Sequence, residues 1–315
     1  LAANGLKLYL NIPQKEVHPG QLVTVCIKAV NRHVIFLGKQ QFQIGVAYLN
    51  TPGNEKEMLQ CDGVTEKVQQ TMAEFSPKHC GIAQIDIEKV FLQDYLGLIG
   101  TQKNFRGSCQ LAVLPEPVLS TRVRTGMEKQ QEYRYSAVAD DDSDILDLRA
   151  FRPGDNLNHI HWNLSLRTDD LIVRQYGEQI DVKKVILVDL SILNTAQYRS
   201  RMDAVYTAVA SIANLYVENE VNTLILAWNG QKQSAEYLEV HDRTELNRAM
   251  IRLMQIPCSS RAGEHAAAVY LKDIEAQGQQ ALFVTAGSYE NNKVRIVNVE
   301  KIQLQELIDE LWEKI

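Results

Sequence analysis

Apolar residues recur at every second position in several short stretches near the start of the chain. The clearest stretch is QLVTVCIKAVN, in which the alternating residues are Val23, Val25, Ile27 and Ala29. This period is typical of a strand that packs one face on a core. Comparable stretches are LKLYLNI, QFQIGVAYL, IAQIDIEKVFL and GSCQLAVLP. Because none of them has a convincing helical period, residues 1–115 are predicted to form an antiparallel β-sandwich of the immunoglobulin-like kind.

A different pattern, in which strands and helices alternate, fills residues 181–315. The continuous apolar run KKVILVDLS predicts a central parallel strand that is covered on both faces. The next segment has a helical stripe of apolar residues, at Met202, Val205, Val209, Ile212 and Tyr216. Further strands are predicted at NTLILAWNG, QALFVTAG and KVRIVNV, and further helices at RTELNRAMIRLMQIP, GEHAAAVYLKDIEAQG and QLQELIDELWEKI. This alternation predicts a doubly wound α/β domain.

The segment 116–180 between these regions has a looser pattern, and its first part is predicted to be an irregular linker. Its acidic run DDDSDILD has aspartates at the first, third and fifth positions, as in a calcium-binding loop. Ile145 stands where that loop needs a glycine, and Phe151 stands where it needs a bidentate glutamate. The run is therefore predicted to be a solvated acidic loop.

Composition narrows the function classes. Of the 315 residues, 45% are hydrophobic and 23% are charged, which is typical of a folded globular protein. The net charge of -6 and the lack of a long basic run argue against a nucleic-acid binder. The longest apolar runs have roughly half the length of a membrane-spanning helix. Since the chain opens on Leu1 rather than methionine, we expect that a preceding segment, which could hold a membrane anchor, has been removed.

Motifs for bound cofactors are missing from the sequence. The five cysteines are scattered, odd in number and never spaced as C-x-x-C, so free thiols in a reducing compartment are expected. The glycine-rich phosphate loops, the G-x-S-x-G elbow and the H-E-x-x-H zinc motif are absent as well. No cofactor is therefore expected, with Mg²⁺ as the candidate ion if a metal binds.

The stretch RAFRPGDNLNHIHWNLSLR, residues 149–167, concentrates groups that can do chemistry. His159 and His161 could act with Asp155 as metal ligands or as a base, which would make the protein a hydrolase. Two histidines are too few for a zinc site, and a structural interpretation is favoured. If the stretch is extended, Ile160 and Trp162 share one buried face.

The structural interpretation makes two further predictions about this stretch. Asp155 should pair with backbone amides or with an arginine such as Arg149 or Arg167. Trp162 should be largely buried, and Trp162→Ala should destabilise the protein by roughly 3 to 5 kcal/mol. No catalytic residue is assigned.

The loop DLSILNT follows the first α/β strand, at the edge where such sheets bind ligands. Asp189 and Ser191 have the D-x-S spacing that begins the metal-binding loop of von Willebrand factor A domains, in which D-x-S-x-S supplies oxygen ligands. Leu193 stands at the third position and cannot ligate a metal, and the later strand offers Thr285 where an acidic residue would be favourable. The two hypotheses are a divalent-metal site and a residual loop whose Asp189 and Ser191 cap the following turn or helix.

The 149–167 stretch, followed by LIVRQYGEQ, closely resembles the signature of a bacterial family known as domain of unknown function fifty-eight. The matching positions are Arg149, Phe151, Gly154, Asp155, Ile160, Trp162, Ser165 and Arg167, with His161 inside the motif. Leu166 replaces the small residue that is usual there, and His159 falls at or beside a common arginine. VHPGQLVTVCIKAVN, QDYLGLIG and VKKVILVDLS resemble further parts of the family, so the resemblance covers nearly the whole chain.

The resemblance implies a von Willebrand factor A-like domain, no established enzymatic activity, and a pair of N-terminal membrane helices. It also implies a soluble part on the cytoplasmic side of the bacterial inner membrane and a MoxR-type AAA+ ATPase as partner. We therefore expect a non-enzymatic adaptor or scaffold that helps this ATPase to assemble or activate complexes of unknown client proteins. The alternatives are a metal-dependent ligand-binding domain that uses Asp189 and Ser191, and a hydrolase that uses the HxH segment.

Overall fold

The computed structural model describes residues 6–31, 37–49, 57–63, 68–94, 96, 98–105, 107–121, 134–135, 145–168, 170–178, 183–191, 197–274, 281–287, 289 and 294–314. The aspartates of the acidic run at 140–144 and Leu193 lie outside these residues. The chain divides into two compact units. One unit contains Leu1–Arg122 together with Lys183–Ile315, and the other contains Val123–Val182.

Strands dominate the first part of the chain. In order they are β1 (Leu6–Asn11), β2 (Glu16–Val17), β3 (Val23–Asn31), β4 (Leu37–Tyr48), β5 (Glu57–Gly63), β6 (Val68–Phe75), β7 (Gly81–Asp94), β8 (Gly100–Asn104) and β9 (Ser108–Val113). One antiparallel sheet has the order β1-β3-β6. The other has the order β2-β9-β7-β4-β5, in which β8 pairs with the end of β7 and the short β2 runs parallel to β9.

The two sheets enclose a single buried core. The alternating residues Val23, Val25 and Ile27 of β3 point into it, together with Phe42 and Ile44 of β4. Successive side chains of a strand point to opposite faces of the sheet. The apolar residues at every second position of β3 therefore lie on the buried face. The β-rich N-terminal region predicted from this period is confirmed.

A smaller sheet forms in the 123–182 unit. Its strands are β10 (Arg134–Tyr135), β11 (Ile145–Ala150) and β12 (Ile172–Glu178), in the antiparallel order β10-β12-β11. Between β11 and β12 the chain forms a 3-10 turn at Leu157–His159 and the helix α1 (Trp162–Thr168). The extended conformation considered for this stretch is therefore wrong, except at Ile160, which makes an isolated bridge with Val173.

Strands and helices then alternate to the end of the chain. They are β13 (Lys184–Val188), α2 (Tyr198–Glu218), β14 (Thr223–Asn229), β15 (Ser234–Val240), α3 (Arg243–Gln255), α4 (Ala262–Val269), a π-helical turn (Tyr270–Ile274), β16 (Ala281–Thr285), β17 (Arg295–Asn298) and α5 (Leu304–Trp312). The sheet order is β15-β14-β13-β16-β17, and only β15 is antiparallel to its neighbour. The predicted α/β region is confirmed, and β15 is an additional edge strand.

Helices cover both faces of this sheet. Ile186 and Val188 of β13 belong to a buried cluster that includes residues of α2, α3 and α5. Val185 and Leu187 point the other way, into a cluster with residues of α4 and the π-helical turn. This double cover explains why the sequence of β13 is continuously apolar. No helix in the described part of the chain combines the length and the apolar character needed to cross a membrane.

The β-sandwich and the α/β sheet share part of one core. Ile82, Ala112 and Leu114 belong to the same buried cluster as Met202 and Tyr206 of α2. The segment that leaves the sandwich is also fixed by hydrogen bonds, since the Val118 amide donates to Ser211 Oγ of α2 at 2.9 Å. Ser120 Oγ donates to Asp309 Oδ1 of α5 at 2.7 Å. The β-sandwich and the α/β sheet are therefore held together in one packed unit.

Candidate functional site

Asp155 and Arg149 form a bidentate ion pair in the signature segment. The two guanidinium nitrogens of Arg149 each donate to one carboxylate oxygen at 2.7 Å. The backbone amide of Arg152 also donates to Asp155 Oδ2 at 2.7 Å, across a turn in which Gly154 has a φ of +109°. These bonds lower the pKa of Asp155 to about 2, and the bonds from Arg149 have the largest effect. The predicted pairing of Asp155 with an arginine and with a backbone amide is confirmed.

His161 and Ser165 attach α1 to the start of β12. The His161 amide donates to the Ile172 carbonyl at 2.8 Å. Ser165 Oγ donates to the His161 carbonyl at 3.0 Å and accepts from the Ile172 amide at 2.9 Å. The Leu164 amide donates to His161 Nδ1 at 3.3 Å, so the imidazole caps the first turn of the helix. His161 and Ser165 thus have structural roles.

Trp162 is 57% exposed, so the prediction that it is largely buried is wrong. The reason is the helix that begins at this residue. Ile160 is buried on Val173, but the chain turns into α1 directly afterwards and Trp162 leaves that face. Ser165 occupies the inner side of the helix. Trp162 and Leu166, which is 80% exposed, lie one turn apart on the outer side.

Asn163 and Arg167 are also exposed on α1. We call Trp162, Asn163, Leu166 and Arg167 the outer face of α1. A shallow surface hollow adjoins this face, and its lining residues are His161, Asn163, Leu164, Leu166 and Arg167. Phe151 is half-buried, in the connection that follows β11.

The pairing of Asp155 with Arg149 argues against an acid/base role for this carboxylate beside the histidines of the HxH segment. The carboxylate that would assist a histidine has both oxygens bonded to Arg149, and its low pKa makes it a weak base. Nδ1 of His161 accepts a backbone hydrogen bond, and His159 lies half-exposed in the 3-10 turn. Among the residues that the structure describes, no three His, Cys, Asp or Glu side chains are grouped to hold a metal ion.

Asp189, Ser191 and Thr285 meet at the carboxyl edge of the α/β sheet. Thr285 Oγ1, at the end of β16, donates to Asp189 Oδ2 at 2.6 Å. The Ser191 amide donates to Asp189 Oδ1 at 3.0 Å, which closes a short turn after β13. The Gly263 amide of α4 donates to Ser191 Oγ at 3.1 Å.

Gly263 lies directly against the Asp189 carboxylate, and a Cβ atom at this position would collide with it. Both carboxylate oxygens of Asp189 accept hydrogen bonds from the protein. Gly263 also brings α4 into contact with this carboxylate. The sequence identified Asp189, Ser191 and Thr285 individually. It gave no sign that Gly263, at the start of a predicted helix, would complete the cluster.

A second, half-buried polar cluster was not found from the sequence. Asp203 of α2 pairs through Oδ2 with His79 Nδ1 at 2.7 Å, and its Oδ1 accepts from the Cys80 amide at 2.8 Å. Burial raises the pKa of Asp203, and the bond to His79 opposes this shift. The Tyr48 ring meets the His79 ring edge-on at 6.2 Å between centroids, and Arg199 lies over the Tyr48 ring at 5.7 Å.

Cys80 beside this cluster is not an activated nucleophile. Burial, followed by the charge of Asp203, raises the pKa of its thiol to about 12. Burial also raises the pKa of Cys61 and Cys109 to about 11. Since the thiolate is the reactive form and a raised pKa keeps the thiol protonated, these cysteines are weak nucleophiles. The five cysteines are all half-buried free thiols.

Solved structures with distant similarity match about a third of the chain. The CARDB domain of the PF1109 protein from Pyrococcus furiosus has 10% identity and a TM-score of 0.23, with 35% of this chain and 87% of that domain covered. A cohesin module of a family 33 glycoside hydrolase from Clostridium perfringens has 8% identity and a TM-score of 0.26, with 34% and 96% covered. No curated protein matches the chain.

One family model matches residues 147–293, a range that runs from β11 to the residues just before β17. The match includes the Arg149–Asp155 pair, α1 with its outer face, and the Asp189 loop with Thr285. The β-sandwich lies outside it. The matching family carries the description "Protein of unknown function DUF58", in agreement with the resemblance of the signature segment, and residues 147–293 of this chain match its model.

Proposed function

We propose that this chain is a non-enzymatic adaptor that works with a MoxR-type AAA+ ATPase in the assembly or activation of other protein complexes. The observation that carries the proposal is the outer face of α1, where Trp162 and Leu166 are exposed beside Arg167. Tryptophan and arginine are the side chains that most often dominate the binding energy of protein interfaces. The ATPase as partner, and a location at the bacterial inner membrane with the soluble part in the cytoplasm, come from the family resemblance.

The support beneath α1 favours a binding role. Ser165 and His161 fix the inner side of the helix to β12 through two hydrogen bonds of 2.8 and 2.9 Å. A side chain presented on a fixed helix loses less conformational freedom on binding than one on a loose segment. Exposure of Trp162 on such a support costs solvation free energy in the isolated chain, and contact with a partner would recover it.

The finer fold assignment belongs to the same proposal. The α/β domain is proposed to be von Willebrand factor A-like, because its central strand β13 ends in D-x-S and helices cover both faces of its sheet. The N-terminal sandwich is proposed to be immunoglobulin-like and to make further protein contacts.

Binding of a MoxR-type ATPase from the same organism tests the proposal. The full chain and the purified ATPase are mixed with ATP in a titration calorimeter, and ATP hydrolysis is followed in parallel. We expect binding in the micromolar range, weakened ~10-fold or more by Trp162→Ala with Leu166→Ala. The matched control is Leu22→Ala with Met72→Ala, which removes two comparably exposed apolar side chains from the sandwich.

The control should bind as the wild type does. If the ATPase at tens of micromolar neither binds the chain nor shows faster ATP hydrolysis, the adaptor role with this ATPase is refuted. Full binding by the α1 variant would refute the assignment of the outer face.

A second candidate function is metal-dependent ligand binding at the Asp189 loop. The observation in its favour is that Asp189, Ser191 and Thr285 converge at the edge of the sheet where α/β domains bind ligands. The donor set does not fit Mg²⁺ as it stands, because a cation would have to replace the hydrogen bonds that the carboxylate already accepts. Calorimetry with Mg²⁺, Mn²⁺ and Ca²⁺ decides the matter, since binding that Asp189→Ala removes would establish a site. The hydrolase alternative has no comparable observation in its favour.

A further inference from the structure

The hairpin of β7 and β8 ends in a group of exposed aliphatic side chains. Leu96, Leu98 and Ile99 are 73%, 79% and 71% exposed. We call these three residues the hairpin tip. Leu92, only a few residues earlier on β7, is buried in the sandwich core. Adjacent large aliphatic side chains that all face water mark a contact surface rather than a random surface composition.

The backbone at the base of the hairpin tip is fixed. The Asp94 amide donates to the Ile99 carbonyl at 2.9 Å, and the Ile99 amide donates to Asp94 Oδ1 at 2.9 Å. The nearest carboxylate is thus bonded to the backbone of the turn. The sequence YLGLIGTQ at 95–102 contains no Asp, Glu, Lys, Arg or His. The hairpin therefore ends in an uncharged segment.

The spacing of the first basic side chain matches the depth of a membrane interface. Gln93 pairs with Gly100 at the end of the hairpin, and Val90 pairs with Lys103 three positions further back. At ~3.3 Å per residue, Lys103 lies ~10 Å behind that end. Peripheral elements bury their apolar parts ~5–10 Å into the headgroup and acyl boundary. With the tip inserted to this depth, Lys103 would lie at the level of the lipid phosphates.

The chemistry of the tip also favours lipid over a protein partner. Protein interfaces depend mainly on Trp, Tyr and Arg, and leucine is under-represented among their dominant residues. Leu96, Leu98 and Ile99 are purely aliphatic and project from the end of a hairpin. Side chains of this kind can enter the fluid acyl chains of a lipid bilayer, whereas a protein partner would need a pocket of complementary shape.

We propose that Leu96, Leu98 and Ile99 insert into the surface of a lipid bilayer, with Lys103 at the level of the anionic headgroups. The inference rests on the membrane location within the proposed function and names the element that would contact the lipid. It does not involve the ATPase or the outer face of α1, so either proposal can fail while the other holds.

Flotation with lipid vesicles tests the inference on the full 315-residue chain. The vesicles contain phosphatidylcholine with phosphatidylglycerol at a molar ratio of about 3:1, a mixture that carries anionic headgroups as bacterial membranes do. The tip variant combines Leu96→Ser with Leu98→Ser. The control combines Leu22→Ser with Leu119→Ser, which removes two other exposed leucines. Circular dichroism before flotation checks that both variants are folded.

We expect the wild type and the control to float with the vesicles and the tip variant to partition ~10-fold or more weakly. A wild type that stays with the soluble fraction, or a tip variant that floats equally well, would overturn the proposal. Sedimentation equilibrium without lipid tests whether a second copy of this chain binds the hairpin tip instead. A dimer that Leu96→Ser with Leu98→Ser dissociates would assign the tip to a second copy of this chain and would also overturn it. ATPase binding by the tip variant shows separately whether the adaptor role stands.

Discussion

Thr285 at the end of β16 donates a 2.6 Å hydrogen bond to the carboxylate of Asp189 at the end of the adjacent strand β13. Thr285 is fully buried, so solvent does not reach its hydroxyl in the folded protein. The bond connects two central strands at the edge where α/β sheets bind ligands. Together with Ser191 and Gly263 it attaches the described start of the Asp189 loop, residues 189–191, to β16 and α4.

Thr285→Val should destabilise the protein, because the substitution keeps the shape of the side chain and leaves one oxygen of Asp189 without its donor. The expected loss in the free energy of unfolding is about 1–3 kcal/mol, measured by urea denaturation. Thr285→Ser, which keeps the hydroxyl, is the control and should lose less. Equal stability of the valine variant and the wild type would show that the bond contributes little.

Asp309 should make stability depend on pH in the acid range. Ser120 first, then the hydroxyl and amide of Thr121 together with Gln305, lower the pKa of Asp309 to about 2, below its ordinary value. A lowered folded-state pKa adds stability above the unfolded pKa, and this stability is lost as the pH falls through about 2. The difference in unfolding free energy between the wild type and Asp309→Asn should therefore shrink as the pH falls from about 5 to about 2. A difference that does not change over this range would contradict the assignment.

Asp203→Ala should loosen the contact between the sandwich and α2. The substitution leaves the Cys80 amide and the His79 ring without their shared acceptor, at an expected cost of about 1–3 kcal/mol in urea denaturation. Asp203→Asn keeps one carbonyl oxygen and is the matched control, with a smaller expected loss. Identical stability of the alanine and asparagine variants would argue that the acceptor oxygens are not what holds this contact.

Trp162→Ala should destabilise the protein less than Ser165→Ala does, although tryptophan is the larger side chain. Trp162 is exposed, so its removal should change the free energy of unfolding by less than about 1 kcal/mol. Ser165→Ala leaves the Ile172 amide without its acceptor and should cost about 1–3 kcal/mol. Urea denaturation of both variants gives the comparison directly. A larger loss for the tryptophan variant would mean that the indole supports the fold.

The elements that were predictable have strong local signals. The period of two in β3 and the apolar run of β13 follow from burial on one face and on two faces, respectively. The Arg149–Asp155 pair was also predictable, because its partners are six residues apart around a Pro-Gly turn. In each case the information lies within a few consecutive residues.

The elements that were missed depend on context outside their own sequence. α1 is only seven residues long, so the alternation around Trp162 fitted a strand as well as a helix. β15 has a largely polar sequence, and its signal was the Asn229-Gly230 pair that begins the turn after β14. His79 and Asp203 are 124 residues apart and belong to no motif, so only the packing of α2 on the sandwich brings them together.

Hydrogen-deuterium exchange of the chain, with and without the ATP-loaded MoxR-type ATPase, tests the central proposal most directly. The proposal is that the partner covers the outer face of α1, defined by Trp162, Asn163, Leu166 and Arg167. We predict that the ATPase slows exchange of the α1 amides and leaves β3 and β6 of the sandwich unchanged. Binding that slows exchange elsewhere while the α1 amides exchange as in the free chain would contradict it.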